Sequence, residues 1–222
     1  MDIGCRRQAT DSSGFSPKPE ARSPKSAFVS EQGLTLFEVT LMLFVTVALV
    51  GGLAPTMSAV ARHAELVAAN TDMQNIRTAI LAFLSDTGRT NFDENGDVAA
   101  GAAIELLVSD GDIPEAGLSA NWLTTTATSD KDFLEEHLVS NSFNGGSFYS
   151  TTDASPWRGA YLNAPINPDP WGNRYAVNTQ YLGASTNDVV VFSAGPDEKV
   201  DTSDTGNPLV AVGDDLIVLV EA

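Results

Sequence analysis

Residues 34–61 read LTLFEVTLMLFVTVALVGGLAPTMSAVA, and from position 39 to position 61 no side chain is charged. Farther on, apolar side chains no longer fill every face but narrow to a stripe at Leu66, Met73, Ile76, Ile80, Phe83 and Leu84. That spacing predicts one helix from Leu34 to about Asp86, uniformly apolar in its first half and amphipathic in its second. About 53 residues at 1.5 Å each span roughly 80 Å, against a hydrocarbon core of about 30 Å, so the second half is expected outside a membrane and packed on a domain. Gly88 is the expected stop. Pro55 and the Gly51-Gly52 pair interrupt the apolar half, and a kink or a locally melted turn is expected there. Glu38 stands at the head of this run, where a carboxylate costs about 2.5 to 3.5 kcal/mol on insertion scales and calls for a partner. Cleavage after Gly33 would create an α-amino group at Leu34, and in a packed assembly that amine could neutralise Glu38 of a neighbouring copy.

The rest of the chain divides by pattern. Residues 104–109 and 132–140 are expected to form short helices, and Asn144-Gly145-Gly146 a turn. Later, residues 174–178, 189–193 and 216–220 alternate or run apolar between Gly, Asn, Pro and Asp clusters, as strands do. A long helix followed by three strands predicts an α+β fold in which an antiparallel sheet covers the amphipathic half of the helix. Three parts are expected: a leader at 1–33, an assembly and membrane helix at 34–61, and a globular domain at 62–222.

Charge and cysteine usage narrow the function. The chain holds 12 basic and 29 acidic residues, a net charge of −17. Residues 1–33 carry five basic and four acidic side chains, so the remainder carries 7 and 25, a net −18. Such acidity argues against nucleic-acid binding, which needs a basic face, and permits cation binding. Basic residues before the apolar run and acidic mass after it place the N-terminus in the cytoplasm and the C-terminal domain outside. Cys5 is the single cysteine and lies in the leader, so no disulfide is expected in the processed protein. Enzyme chemistry finds no support: His63 and His137 belong to no motif with a nucleophile, and no phosphate-binding glycine loop occurs. Asp93-Glu94-Asn95-Gly96-Asp97-Val98 imitates a calcium loop, but Val98 stands where glycine is required, so an Asx-rich turn is expected.

The junction Gly33-Leu34-Thr35-Leu36-Phe37-Glu38 resembles the processing site of type IV pilins and type II secretion pseudopilins, with a Gly cut site, an apolar first residue and Glu fifth. Pro55 lies 21 residues beyond Leu34, at the distance of a proline that accompanies loosening of the helix in such filaments. Asp169-Pro170-Trp171-Gly172-Asn173 is similar to the turn entering the first strand of major pseudopilins. The string from Val191 through Ser193-Ala194-Gly195-Pro196-Asp197-Glu198-Lys199 resembles their calcium-binding signature, as does Gly213-Asp214-Asp215-Leu216-Ile217.

The resemblance implies a pilin-like α+β subunit of a type II secretion pseudopilus, a structural part and not an enzyme, in the bacterial inner membrane with its domain in the periplasm. It further implies cleavage at Gly33, methylation of Leu34 and assembly through Glu38 and Pro55. The implied partners are other copies of the chain, a prepilin peptidase, an inner-membrane assembly platform and minor pseudopilins. Calcium is the implied cofactor, held by the Ala194 carbonyl, Asp197 and Asp215, with Asp214 as the alternative to Asp215. Physical chemistry favours the same ion, because the loop 194–215 carries six carboxylates against Lys199, and calcium takes six to eight oxygens at about 2.3 to 2.6 Å. That loop is expected to have little to bury. A type IV pilin of a surface fibre and a membrane-anchored calcium-binding protein that never polymerises are the alternatives.

Overall fold

The computed structural model describes residues 34–93, 103–119, 122, 133–143, 146–147, 149–184 and 186–221, without the side chains of 52–56, 143, 146 and 147. The chain divides into two compact units, residues 1–50 and 51–222. Gly33 and Cys5 lie outside the described residues, as does most of the imitation calcium loop.

Helix α1 spans Leu36–Thr87. The Thr35 hydroxyl accepts the Glu38 N–H at 3.3 Å at its start. It ends at Gly88, whose φ of 63° and N–H to the Leu84 carbonyl form a left-handed cap. The helical backbone continues through Pro55, so the melted turn expected there is not part of this structure. Among the described residues no helix is long and apolar enough to cross a membrane. The apolar run expected to do so continues through 52–56, whose side chains lie outside the described set. In the first unit the helix shows its apolar residues to solvent, Leu36 at 85% and Phe44 at 72% exposure.

In the second unit Met73, Ile76, Ala79, Ile80 and Phe83 are buried on one face of α1. Leu66, expected in the same stripe, is instead 38% exposed. The buried face meets a four-stranded antiparallel sheet of β1 (Leu107–Val108), β5 (Ala176–Val177), β6 (Val189–Ser193) and β8 (Leu216–Glu221), in the order β1-β5-β6-β8. Val177, Val189, Val191, Val218 and Val220 pack with the helix in one cluster. Phe92 stacks on Phe83 with ring centroids 4.6 Å apart.

The sheet has a second covered face. Val108, Ala176, Val190 and Phe192 pack there with Trp122, Ala194, Val200 and Leu209. Because both faces are covered, β6 is buried at every position and reads as a continuous apolar run. In β8, by contrast, Val218 and Val220 are buried while Leu219 and Glu221 are exposed.

Two expectations are corrected. Residues 107–108 form strand β1, not a helix, because a short apolar run bearing β-branched Val108 pairs readily with Ala176 and Val177 at the sheet edge. Residues 134–140 are helical as expected, but Glu136–Ser140 is wound as a π-helical turn ending at Asn141 in the left-handed region. Strands β3 (Ser142–Phe143) and β4 (Gly146–Ser147) pair across the expected turn. Residues 115–116 form β2, parallel to β7 (Lys199–Val200), with Glu115 opposite Lys199 and Ala116 opposite Val200. Through β2, residues 115–116 brace the start of the acidic loop.

Candidate functional site

Three stretches converge at the C-terminal end of β6. Asp169 opens the turn 169–173 and is buried. Its Oδ1 accepts the N–H of Trp171 at 3.0 Å and of Asn173 at 2.8 Å, a turn closed by a carboxylate. Its Oδ2 accepts the Ser193 hydroxyl at 2.7 Å, and Ser193 Oγ accepts the Gly195 N–H at 3.2 Å. One carboxylate thus ties the Asp-Pro-Trp-Gly turn to the end of β6 and the start of the acidic loop. Burial pushes the Asp169 carboxyl up, opposed by its bonds from Ser193, Asn173, Trp171 and Gly172.

Beyond β6 the chain makes one 3-10 turn, Gly195–Asp197, then passes Glu198 at a φ of 61° into β7. Gly195 has a φ of 69°, and a Cβ there would collide with the Asp214 carbonyl oxygen. The two ends of the loop therefore meet backbone to backbone at Gly195 and Asp214, a closeness only glycine permits.

Asp215 is 5% exposed. Its Oδ2 accepts the N–H of Thr202 at 2.6 Å and of Asp201 at 2.9 Å. Its Oδ1 is buried with no hydrogen-bond partner. Burial raises the Asp215 carboxyl above the ordinary carboxylate range; the Thr202 and Asp201 hydrogen bonds lower it and the Asp201 charge raises it further. Asp197 is different: it is exposed, and its Oδ1 accepts the Lys199 N–H at 3.1 Å. Asp214 is also exposed.

The fit to calcium follows from these atoms. Asp215 fits, since a buried carboxylate oxygen with no donor is what a cation would satisfy. The Ala194 carbonyl lies in the same junction, in a residue that is itself fully buried. Among the described residues no group of three or more His, Cys, Asp or Glu side chains stands close enough to hold a metal. Carbonyls and water would have to complete the shell, as calcium's coordination permits.

The loop also has more to bury than its composition promised. Val200 and Leu209 are buried against Trp122 and Phe192, and the two rings stack at 4.7 Å. The Trp122 indole N–H donates to the Thr202 carbonyl at 3.0 Å. Trp122 sits alone in a Thr- and Ser-rich stretch, with no periodicity to mark it.

The residues expected to serve processing and assembly lie in the first unit or outside the described side chains. Glu38 and Leu34 are exposed in the first unit. Pro55 falls among the residues whose side chains are not described. His137 is a core residue, its Nδ1 2.7 Å from the Tyr149 hydroxyl oxygen. Half-buried Trp171 lines a groove with Arg62, Glu65, Leu66, Pro196 and Asp214, so it stands beside the helix.

A long N-terminal helix, an antiparallel sheet laid on its second half, and a loop clasped to the sheet end define an α+β protein. Residues 148–211 match the family model described as type II secretion system (T2SS), protein G, so this segment of the chain is similar to that family. The matched segment contains the turn 169–173, strands β5 to β7 and most of the acidic loop, and stops short of Asp214 and Asp215. No curated protein and no solved structure matches the chain.

Proposed function

We propose that this chain is a precursor subunit of a type II secretion pseudopilus, processed after Gly33 and assembled with other copies through the apolar half of α1. The observation that carries this reading is the family match over 148–211, the segment whose Asp169 joins the turn, β6 and the loop. Before assembly, residues 34–61 would reside in the inner membrane with the sheet domain in the periplasm. The apolar side chains of Leu36–Val50, exposed in the chain by itself, need lipid or neighbouring helices as cover. After cleavage the Leu34 amine would neutralise Glu38 of the adjacent copy. The subunit would act by assembling, with a prepilin peptidase, an assembly platform and minor pseudopilins as partners, and not by catalysis.

Calcium belongs to this proposal as a structural ion. Asp215 and the Ala194 carbonyl would hold it, with Asp197 the further ligand implied by the family strings and Asp214 the alternative to Asp215. Bound there, it would neutralise the loop and lock its ends together.

Mass spectrometry of the membrane-extracted protein tests the central claim. An N-methylated Leu34 terminus, with cross-linked ladders of the chain, is the expected result. An intact leader with only monomer would favour an anchored protein that never polymerises. Calcium is tested separately: adding it to the chelated full-length chain in detergent should raise stability by about 2.7 kcal/mol at 100 times the dissociation constant. An unchanged melting curve would remove the ion from the proposal and leave the filament reading in place.

A further inference from the structure

Asp201 stands in neither of the two strings that suggest a metal loop, yet it is the carboxylate set beside Asp215. Its backbone N–H donates to Asp215 Oδ2 at 2.9 Å. Its side-chain Oδ1 accepts the Leu118 N–H at 2.8 Å, which fixes the carboxylate from the β2 side. Glycines flank it. A Cβ on Gly117 would collide with Asp201 Oδ1, and a Cβ on Gly213 would stand 2.8 Å from Oδ2. The carboxylate is therefore wedged between two backbones that approach it only because they carry no side chain.

This arrangement is costly as it stands. Asp215 is nine-tenths buried, its Oδ1 has no hydrogen-bond partner, and the backbone of Asp201, a second acidic residue, bonds directly to its Oδ2. The single basic residue between 194 and 215 is Lys199, and it is exposed. Asp197, which the family string offers as a ligand, is an exposed turn residue already accepting the Lys199 N–H. A hard divalent cation accepts oxygens from carboxylates, carbonyls and water in an irregular shell, and would satisfy Asp215 Oδ1 while cancelling the repulsion from Asp201.

We propose that Asp201 and Asp215 are the two carboxylate ligands of a calcium-class divalent cation in this loop, with Asp201 taking the place that the sequence string gives to Asp197. The proposal rests on the calcium reading made above. It also gives β2 a function, since the Leu118 N–H orients the ligand.

The test compares Asp201→Asn and Asp197→Asn in the full-length chain, purified in detergent and stripped with chelator. Calcium retained after gel filtration is measured by atomic emission, and melting is followed with and without added calcium. Asp201→Asn keeps an oxygen for the Leu118 N–H and removes the charge. It should lose at least tenfold in calcium affinity and most of the calcium-dependent rise in melting temperature. In chelator it should melt no lower than the wild type, because the repulsion on Asp215 is gone; a merely structural Asp201 would melt lower. Asp197→Asn should stay within about twofold of wild-type affinity. Wild-type calcium binding by Asp201→Asn, or an equal loss in Asp197→Asn, would overturn the assignment. If the wild type itself takes up no calcium, the calcium reading fails first and this assignment with it.

Discussion

At the scale of single residues the site depends on groups that serve two elements at once. Asp169 accepts from two turn N–H groups and from Ser193. Asp169→Ala removes all three bonds inside a buried region and is expected to cost about 3 kcal/mol or more, read from urea unfolding. The pH dependence has a definite sign. The folded-state pKa of Asp169 is raised by burial, so the folded protein binds a proton more readily than the unfolded chain. Its contribution to stability therefore increases as pH falls from neutral through the folded pKa, and is complete below the ordinary Asp value of about 3.9. The difference in unfolding free energy between wild type and Asp169→Asn, measured across this range, should grow in favour of the wild type on acidification. A flat difference would show that Asp169 has no raised pKa. Gly195 is the second such residue: Gly195→Ala places a Cβ into the Asp214 carbonyl at a φ that costs an L-residue roughly 1 to 2 kcal/mol before any clash. A loss above about 2 kcal/mol is expected, and a neutral substitution would mean that the loop ends do not meet there.

At the scale of elements, what could be read in the sequence divides along the distance over which order is imposed. The amphipathic half of α1, its stop at Gly88, and strands β6 and β8 were legible, because periodicity, a terminal glycine and β-branched runs are local signals. Strand β1 was misread because Ile104-Glu105-Leu106-Leu107-Val108 suits either a helix or a buried strand, and only its pairing with Val177 and Ala176 decides. The second covered face of the sheet was not legible at all. It is assembled from Trp122, Val200 and Leu209, which are far apart in sequence and have no common period. The same holds for Asp201, whose significance comes from the N–H of Leu118, 83 residues away. The indole gives the sharpest test of this layer. Trp122→Ala should cost about 3 to 5 kcal/mol through the cavity against Phe192, whereas Trp122→Phe, which keeps the stack and loses the N–H to Thr202, should cost about 1 kcal/mol. Chemical denaturation separates the two, and equal losses would mean that the hydrogen bond and not the packing anchors the loop.

At the scale of the whole molecule the two halves of α1 face different surroundings. From Met73 to Phe83 the helix is covered by its own sheet, whereas in the first unit the apolar side chains from Leu36 to Val50 are exposed. On the proposed filament reading, an exposed apolar surface of that extent ends in lipid or against other helices, and Glu38 would govern how well it passes from one to the other. In lipid the carboxylate is a cost; in a packed filament, the Leu34 amine of a neighbour would make it an attraction. Glu38→Leu is therefore expected to insert at least as well as the wild type, since the cost of about 2.5 to 3.5 kcal/mol disappears, and yet to assemble poorly. Both can be read in one experiment, by fractionating membranes and cross-linking intact cells. A membrane-bound, processed variant with few or no multimers is the expected outcome. Loss of membrane insertion would assign Glu38 to targeting, and a wild-type ladder of multimers would show that filament packing does not use the Glu38 charge.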